Sequence, residues 1–253
     1  MPSYIPVSHS LLGDKRWRPH PSLVFAKADN VTPLLVSEVT MAAETLPIGF
    51  IKIDDQFSMV VLMGIRSGEN LLVSESHQWI GEYMPVAYRS SPFDLRLLDN
   101  ESGQQALCVD ESCITEADDP QGYPFFTAEG EVAEATAKAF AQVQQFYTSR
   151  PLTNLISAKL AEHNLLTPWP LGVEVDGEQI AVNGLYQINE KALNQLPDAA
   201  FLELRQCYAL PVAYAQLLSM SKIKFLAALL QQRKRTAEVP ASGGSETFSF
   251  AGL

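Results

Sequence analysis

Cysteine is scarce in this sequence, whose 253 residues include only Cys108, Cys113 and Cys207. A low and odd number argues against the disulfide framework of a small secreted protein. Cys108 and Cys113 have no second Cys or His pair to complete a zinc site, so we interpret them as small core residues and predict no metal site. The N-terminus has no apolar run of signal-peptide length, and no run of about 18 apolar residues follows. These absences predict a cytoplasmic protein without membrane insertion.

Positive charge is also in short supply. Lys and Arg number 18 against 29 Asp and Glu, for a formal net charge of −11. A general nucleic-acid binder needs excess positive charge to displace counterions, so we expect no nucleic-acid partner. The same charge argues against docking on an anionic membrane surface.

Familiar catalytic motifs are missing. The sequence has no G-x-S-x-G, no Walker-type loop, no G-x-G-x-x-G and no H-E-x-x-H. Its four histidines, His9, His20, His77 and His163, lie far apart, and none belongs to an H-x-D or H-x-E pair. This lowers the expectation of an enzyme without excluding one, because distant residues can meet in space. The sequence identifies no cofactor.

The clearest local pattern lies in residues 164–195. Asp176-Gly177 is a two-residue turn flanked by alternating apolar residues, which predicts a β-hairpin. With this turn as the loop, Val173 faces Ile180 and Leu171 faces Val182. Turn and hydrophobic pattern agree on one register.

Periodicity divides the rest of the chain into two halves. Strand-like runs predominate before residue 130, at 23–26, 59–65, 70–73, 93–97 and 107–109, with a short helix at 36–46. Helical spacing then predicts helices at 132–148 and 152–164, separated by Pro151, and a long core helix at 210–235. Asn189 and Asp198 are candidate N-caps of two short helices ending at 195 and 206.

These patterns predict an α+β fold. A β-rich N-terminal half (1–130) packs against a helical C-terminal half (131–235) that carries the hairpin, as one domain. Residues 236–253, rich in Pro, Gly and Ser, are expected to form a flexible tail.

The only dense basic and aromatic cluster contains Arg16, Trp17 and Arg18. Guanidinium groups offer paired donors to a carboxylate or phosphate, so these residues are candidates for binding a partner or ligand. The alternative is that Trp17 anchors this N-terminal arm to the core while the arginines pair with surface acids.

Two further segments supply candidate residues. His77, Trp79 and Tyr83 lie in an aromatic stretch that could line a pocket, although such residues also pack in cores. Asp110 and Glu111 follow a short strand, where carboxylates are placed for acid–base work or cation binding. A solvated acidic loop is the simpler interpretation of that segment.

Eight segments in one order carry a family resemblance: RWR (16–18), PLLVSEVTMAAETLPIGF (33–50), WIGEYMPVAYRSSPF (79–93), CVDE (108–111), GYPFF (122–126), TPWPL (167–171), GLYQINEKALNQL (184–196) and ALPVAYAQLLSM (209–220). Over residues 4–232 the chain resembles the SapC family of bacterial surface-layer-associated proteins. The resemblance brings no established catalytic residue or cofactor. It implies a link to surface-protein modification or to TonB-dependent uptake.

Together these observations favour an intracellular accessory that binds a protein or peptide partner. One alternative is an enzyme acting on a peptide or small molecule through Asp110 and Glu111. Another is a structural subunit related to the surface layer. The sequence specifies no oligomeric state.

Overall fold

A computed structural model of the protein describes residues 3–97 and 105–238. Its strands are β1 (Tyr4–Pro6), β2 (Arg16–Trp17), β3 (Val31–Pro33), β4 (Ile48–Ile53), β5 (Gln56–Leu62), β6 (Phe93–Leu97), β7 (Gln105–Asp110), β8 (Ile114–Thr115), β9 (Tyr123–Pro124), β10 (Leu166–Pro168), β11 (Leu171–Val175), β12 (Glu178–Val182) and β13 (Leu185–Ile188). Its α-helices are α1 (His9–Leu12), α2 (Val39–Thr45), α3 (Val86–Arg89), α4 (Glu134–Glu162), α5 (Glu190–Leu193), α6 (Asp198–Gln206), α7 (Ala209–Ser219) and α8 (Ile223–Glu238). The predicted flexible tail lies, from residue 239 onward, outside the described residues.

The central sheet is antiparallel and has the strand order β10-β13-β4-β5-β3. Its β4–β5 hairpin pairs Ile48 with Val61 and Phe50 with Met59, and all four side chains are buried. Strands β10 and β13 come from the C-terminal half of the chain. The α+β class is therefore confirmed, and both halves contribute strands to this sheet.

A smaller layer contains the sheets β1-β7-β6 and β8-β2-β9. Strand β6 has the bounds predicted from its alternating pattern, and β7 contains the predicted run 107–109. Between these sheets and α4 lies a small core that consists of Leu12, Trp17, Phe93, Val109, Phe125 and Val143. The N-terminal arm is therefore part of this layer.

The prediction that Pro151 separates two helices was wrong, because Pro151 lies inside α4, a single helix of 29 residues. An interior proline removes a backbone hydrogen bond and costs about 3 kcal/mol. The helix remains intact because it is packed on both sides of the proline. Val143 is buried in the small core, and Ile156 and Leu160 are buried in the main core. Burying one such side chain contributes about 1.5–3 kcal/mol, so three together outweigh the proline.

The predicted hairpin is present as β11 and β12. Val173 pairs with Ile180 and Leu171 with Val182, as the sequence pattern requires. The turn residues Asp176 and Gly177 have φ of 53° and 78°, the left-handed conformation that this turn type needs. Leu171 and Val173 are buried in the main core, which helix α8 also lines.

Two predicted strands were wrong. Residues 24–26 form a 3₁₀ turn, and residues 70–73 form a turn with a single β-bridge from Val73 to Trp79. The buried side chain of Asn70 explains both. Its Nδ2 donates to the carbonyl of Ala26 at 3.0 Å, and its Oδ1 accepts from the backbone N–H of Leu72 at 3.0 Å. One amide side chain thus bonds to the backbone of both segments, in place of strand pairing.

The C-terminal helices largely follow the prediction. Asn189 caps α5 by accepting from the N–H of Ala192 at 3.1 Å, whereas Asp198 is the first residue of α6 and its N-cap is Pro197. The long predicted helix is interrupted by a 3₁₀ turn at Met220–Lys222. By length and composition alone, the helical stretch Ala209–Thr236 is sufficient to cross a membrane. One face of it, including Val212, Ala213, Leu226 and Leu230, lies in the main core, as predicted for this element.

Candidate functional site

The arm residues Arg16 and Arg18 bind the protein's own 116–122 loop. Arg16 donates from Nε to the carbonyl of Ala117 at 2.8 Å and from Nη1 to the carbonyl of Gly122 at 2.7 Å. Arg18 makes a two-pronged ion pair with Asp119, which holds the pKa of that carboxyl well below its usual range. The paired donors predicted from the sequence are therefore engaged within the chain.

Trp17 anchors the arm. Its side chain is buried, and its Nε1 donates to Thr136 Oγ1 at 2.9 Å. Thr136 Oγ1 in turn donates to the carbonyl of Pro124 at 3.1 Å. Strand β2, strand β9 and the start of α4 are thus joined through one indole.

Asp110, which is buried, lies in a group of three residues with the buried Cys113 and the partly buried His20. Asp110 Oδ1 accepts from the backbone N–H and the hydroxyl of Ser112, at 3.0 and 2.8 Å. Its Oδ2 is 3.5 Å from Nε2 of His20, and Nδ1 of the same ring is 3.3 Å from Cys113 Sγ. We call Cys113, His20 and Asp110 the thiol cluster. The neighbouring candidate, Glu111, is exposed and stands outside it.

The thiol cluster is not arranged as a metal site. The two ring nitrogens of His20 point in different directions, one to Cys113 and the other to Asp110. Their ligand atoms therefore cannot converge on one ion. Throughout residues 3–97 and 105–238, no group of three His, Cys, Asp or Glu side chains is placed to hold a metal.

Tyr83 contacts a buried carboxylate, Glu38. The Tyr83 hydroxyl and the backbone N–H of Val86 both donate to Glu38 Oε1, the latter at 2.7 Å. Arg89 Nη2 is 3.4 Å from the same oxygen. Burial, together with the bond to Glu38, raises the pKa of Tyr83, so the phenol stays protonated and donates. Trp79 Nε1 donates to the carbonyl of Tyr83 at 3.1 Å, which fixes the segment.

A row of aromatic rings connects the segment that contains Trp79 to the N-terminal arm. The ring of Trp79 lies 5.9 Å from that of Tyr88, Tyr88 lies 5.8 Å from Phe25, and Phe25 lies 5.3 Å from His20. His77, by contrast, has left-handed φ, and its carbonyl accepts from the N–H of Leu23 at 2.8 Å. A series of ring contacts thus connects Trp79 to His20 of the thiol cluster, whereas His77 has a structural role in its loop.

A groove runs along α8 and consists of two cavities, of about 350 and 180 Å³, which share Ile80. We call it the α8 groove. Five residues of this helix line it, Phe225, Leu229, Gln232, Arg233 and Thr236, together with Lys222 from the preceding 3₁₀ turn. The opposite wall includes Leu46, Leu71 and Tyr83. Ile80 is 51% exposed and Phe225 is 40% exposed, so two large apolar side chains stand open to solvent in one groove.

The rim of the α8 groove is acidic. Glu44, Glu75 and Glu82 line it and are exposed. In the described part of the chain, none of the three forms a salt bridge with Lys or Arg. Arg233 in this groove is partly buried and is engaged with Glu69 and with the carbonyl of Val73 at 2.8 Å. Lys222, the groove's other cation, forms no salt bridge in the described part of the chain. The groove therefore combines an apolar floor with a rim on which three carboxylates face one lysine, a net negative charge.

A second groove, of about 670 Å³, lies between the arm and α4. Trp17, Pro19 and the exposed Tyr123 line one side of it, and Lys138 lines the other. Here Lys138 is already paired with Glu134 at 2.6 Å. This groove is larger than the α8 groove, but its charges are balanced.

Sequence reasoning placed Trp79 and Tyr83 near a pocket but did not identify Phe225 and Glu38 as neighbours of Tyr83, nor His20 and Cys113 as a contacting pair. Phe225 fits amphipathic helical spacing, which does not distinguish a groove from a core. His20 had one signal, since it closes the basic and aromatic cluster of the arm.

Comparison with known proteins gives a match to one protein family. No curated protein and no solved structure matches the chain. The model of the SapC family matches residues 8–226. The chain therefore belongs to the SapC family.

Proposed function

We propose that this SapC-family protein is an accessory that binds a segment of a partner protein in the α8 groove. The observation that carries the proposal is the pairing of exposed Ile80 and Phe225 with the unpaired Glu44, Glu75 and Glu82 around them. A large apolar residue of the partner would pack on the floor, and Lys or Arg on either side of it would meet the rim.

Exposed apolar area supplies the affinity in this proposal. Leu218, which is 76% exposed, lies four positions before the groove residue Lys222 and is a further large apolar side chain open to solvent. Covering a large apolar side chain contributes about 1.5–3 kcal/mol when it passes from full exposure to burial. Half-exposed Phe225 and Ile80 would contribute about half of that each, and aromatic residues at the centre of an interface tend to dominate binding.

Charge selects the partner. Three carboxylates at the rim favour a basic segment and disfavour an anionic lipid surface, since like charges repel. The net charge of −11 acts in the same direction at longer range. An intracellular partner involved in surface-protein modification or TonB-dependent uptake, as the family resemblance implies, belongs to the same proposal.

The test is selection from a phage library of random linear peptides. We expect enriched peptides to carry a large apolar residue flanked by Lys or Arg. Phe225→Ser should weaken the best synthetic peptide about fivefold, because it removes about 1 kcal/mol of apolar contact. Phe201→Ser is the matched control: Phe201 is 39% exposed, but on α6 and outside the groove.

A second variant tests the rim. Glu44→Gln with Glu82→Gln should weaken the same peptide and reduce the salt dependence of its binding. Peptides that bind the Phe225→Ser variant as tightly as the native protein would refute the proposal, as would an acidic consensus. Binding to phosphatidylglycerol vesicles that Phe225→Ser abolishes, with no peptide enriched, would replace the partner segment with a lipid surface.

A further inference from the structure

The thiol cluster has the order of a nucleophile, a base and an orienting group. Cys113 Sγ is 3.3 Å from His20 Nδ1, and His20 Nε2 is 3.5 Å from Asp110 Oδ2. The three residues come from the arm, from the end of β7 and from the 3₁₀ turn that follows it. Pairing of β2 with β8 brings them together, with Trp17 opposite Ile114.

The surrounding hydrogen bonds favour one arrangement of protons. Asp110 Oδ1 is already occupied by Ser112, so Oδ2 is the oxygen that faces the ring. An Nε2–H directed at this oxygen leaves Nδ1 as an acceptor for the Cys113 S–H. Burial raises the pKa of the Cys113 thiol, so sulfur at rest carries its proton. The thiol therefore needs a base in order to react, and the acceptor nitrogen is in contact with it.

We propose that Cys113 is a nucleophile that accepts an acyl group from an activated ester or thioester, with His20 as general base and Asp110 as the positioning residue. In the first step the sulfur bonds to the carbonyl carbon, the S–H proton passes to His20 Nδ1, and the carbonyl electron pair moves to oxygen. When the carbonyl re-forms, the bond to the leaving oxygen or sulfur breaks with its electron pair. The leaving group takes the proton from His20, and the products are S-acyl-Cys113 and a free alcohol or thiol.

The surroundings limit the donor to a small, partly apolar molecule. Cys113 is only 4% exposed, so a bulky donor does not reach its sulfur. The Phe25 ring lies 5.3 Å from that of His20 and is half-exposed, and neighbouring Val24 is exposed as well. The Phe25 ring forms an apolar lip beside the imidazole, suited to the alkyl part of an acyl group.

The chain contains its own comparison thiol. Cys108 is also 4% exposed, and burial raises its pKa as it does that of Cys113. Its Sγ lies 3.7 Å from the carbonyl of Ala106, which is a poor base, and among the residues that the structure describes it has no imidazole contact. A difference in reactivity between the two thiols therefore isolates the effect of His20.

The experiment uses the full chain with Cys207→Ser, which removes the more accessible third thiol. The protein is treated with p-nitrophenyl acetate under native conditions, and acetylation of each cysteine is followed by peptide mass spectrometry. General-base assistance is worth about 10²-fold or more, so we expect Cys113 to be acetylated at least tenfold faster than Cys108 at neutral pH. The rate at Cys108 should rise only at the high pH where its own thiol ionises.

Variants of His20 and Asp110 test whether these two residues activate Cys113. His20→Gln should bring the rate at Cys113 down to that at Cys108, and Asp110→Asn should lower it while leaving Cys108 unchanged. His163→Gln is the control, because His163 also faces a carboxylate, Glu203 at 3.1 Å, but is remote from both thiols. Equal rates at the two cysteines would overturn the proposal. So would an unchanged or faster rate at Cys113 in His20→Gln, because a faster rate would mean that packing only shields the thiol.

Discussion

Replacing the buried Glu38 with Gln should destabilise the protein by about 3 kcal/mol. The carboxylate is 5% exposed; Oε1 accepts from Tyr83 and Val86, and Oε2 accepts from the N–H of Leu35 at 3.3 Å. A glutamine can keep its oxygen at the Oε1 position, but its NH₂ group then faces the N–H of Leu35. One buried donor loses its acceptor, which costs about 1–3 kcal/mol, and two bonds to a charged acceptor become neutral, at about 0.5–1 kcal/mol each. Arg89 is 45% exposed and adds little.

Urea unfolding measures this cost directly. The transition midpoint should fall with an unchanged slope, because the surface exposed on unfolding stays the same. In a thermal melt the expected shift is about 6–12 °C, from 2–4 °C per kcal/mol for a chain of this size. Glu44→Gln is the matched control, since this exposed glutamate forms no salt bridge in the described part of the chain. A Glu38→Gln variant within about 0.5 kcal/mol of that control would refute the idea that the buried carboxylate organises this region.

Two further perturbations test the arm and the hairpin. Because the pKa of folded Asp119 lies below the ordinary carboxyl value of about 3.9, the unfolded chain takes up this proton first as pH falls. The stabilisation from the Arg18–Asp119 pair is therefore complete above that value and is lost as pH falls towards the folded pKa; acid titrations of unfolding should lose this component in Asp119→Asn. Gly177→Ala should cost about 1 kcal/mol in urea unfolding from left-handed φ alone, since an added Cβ meets nothing within 4 Å, whereas Gly172→Ala, in a strand, should cost less. Equal costs at the two glycines would contradict the assignment of this turn.

Local sequence patterns were enough to predict the hairpin and strand β6. At Asp176-Gly177 the turn chemistry and the apolar alternation are encoded within a dozen residues, so no distant contact is needed to fix the register. Pro151 is the opposite case. Its local effect is to break a helix, and only burial of Val143 on one side and Leu160 on the other reverses it.

The candidate site depended on contacts that no local pattern contains. His20 and Cys113 are 93 positions apart, and Glu38 and Tyr83 are 45 positions apart. A histidine after a basic cluster and a glutamate at the start of a helix are ordinary surface residues by sequence. Trp79 and Tyr83 could be associated with a pocket because His77, Trp79 and Tyr83 lie close together in one aromatic stretch of the chain.

Helix α4 determines which parts of the molecule can unfold independently. Its first half completes the small core through Val143, and its second half completes the main core through Ile156 and Leu160. If either core opens locally, α4 therefore loses part of its apolar packing, and the other core depends on the same helix. Amide protons along the middle of α4 should exchange with solvent only through the global transition, although Pro151 leaves one backbone carbonyl there without its helical donor. A single long helix thus couples the layer that holds the thiol cluster to the layer that holds the α8 groove.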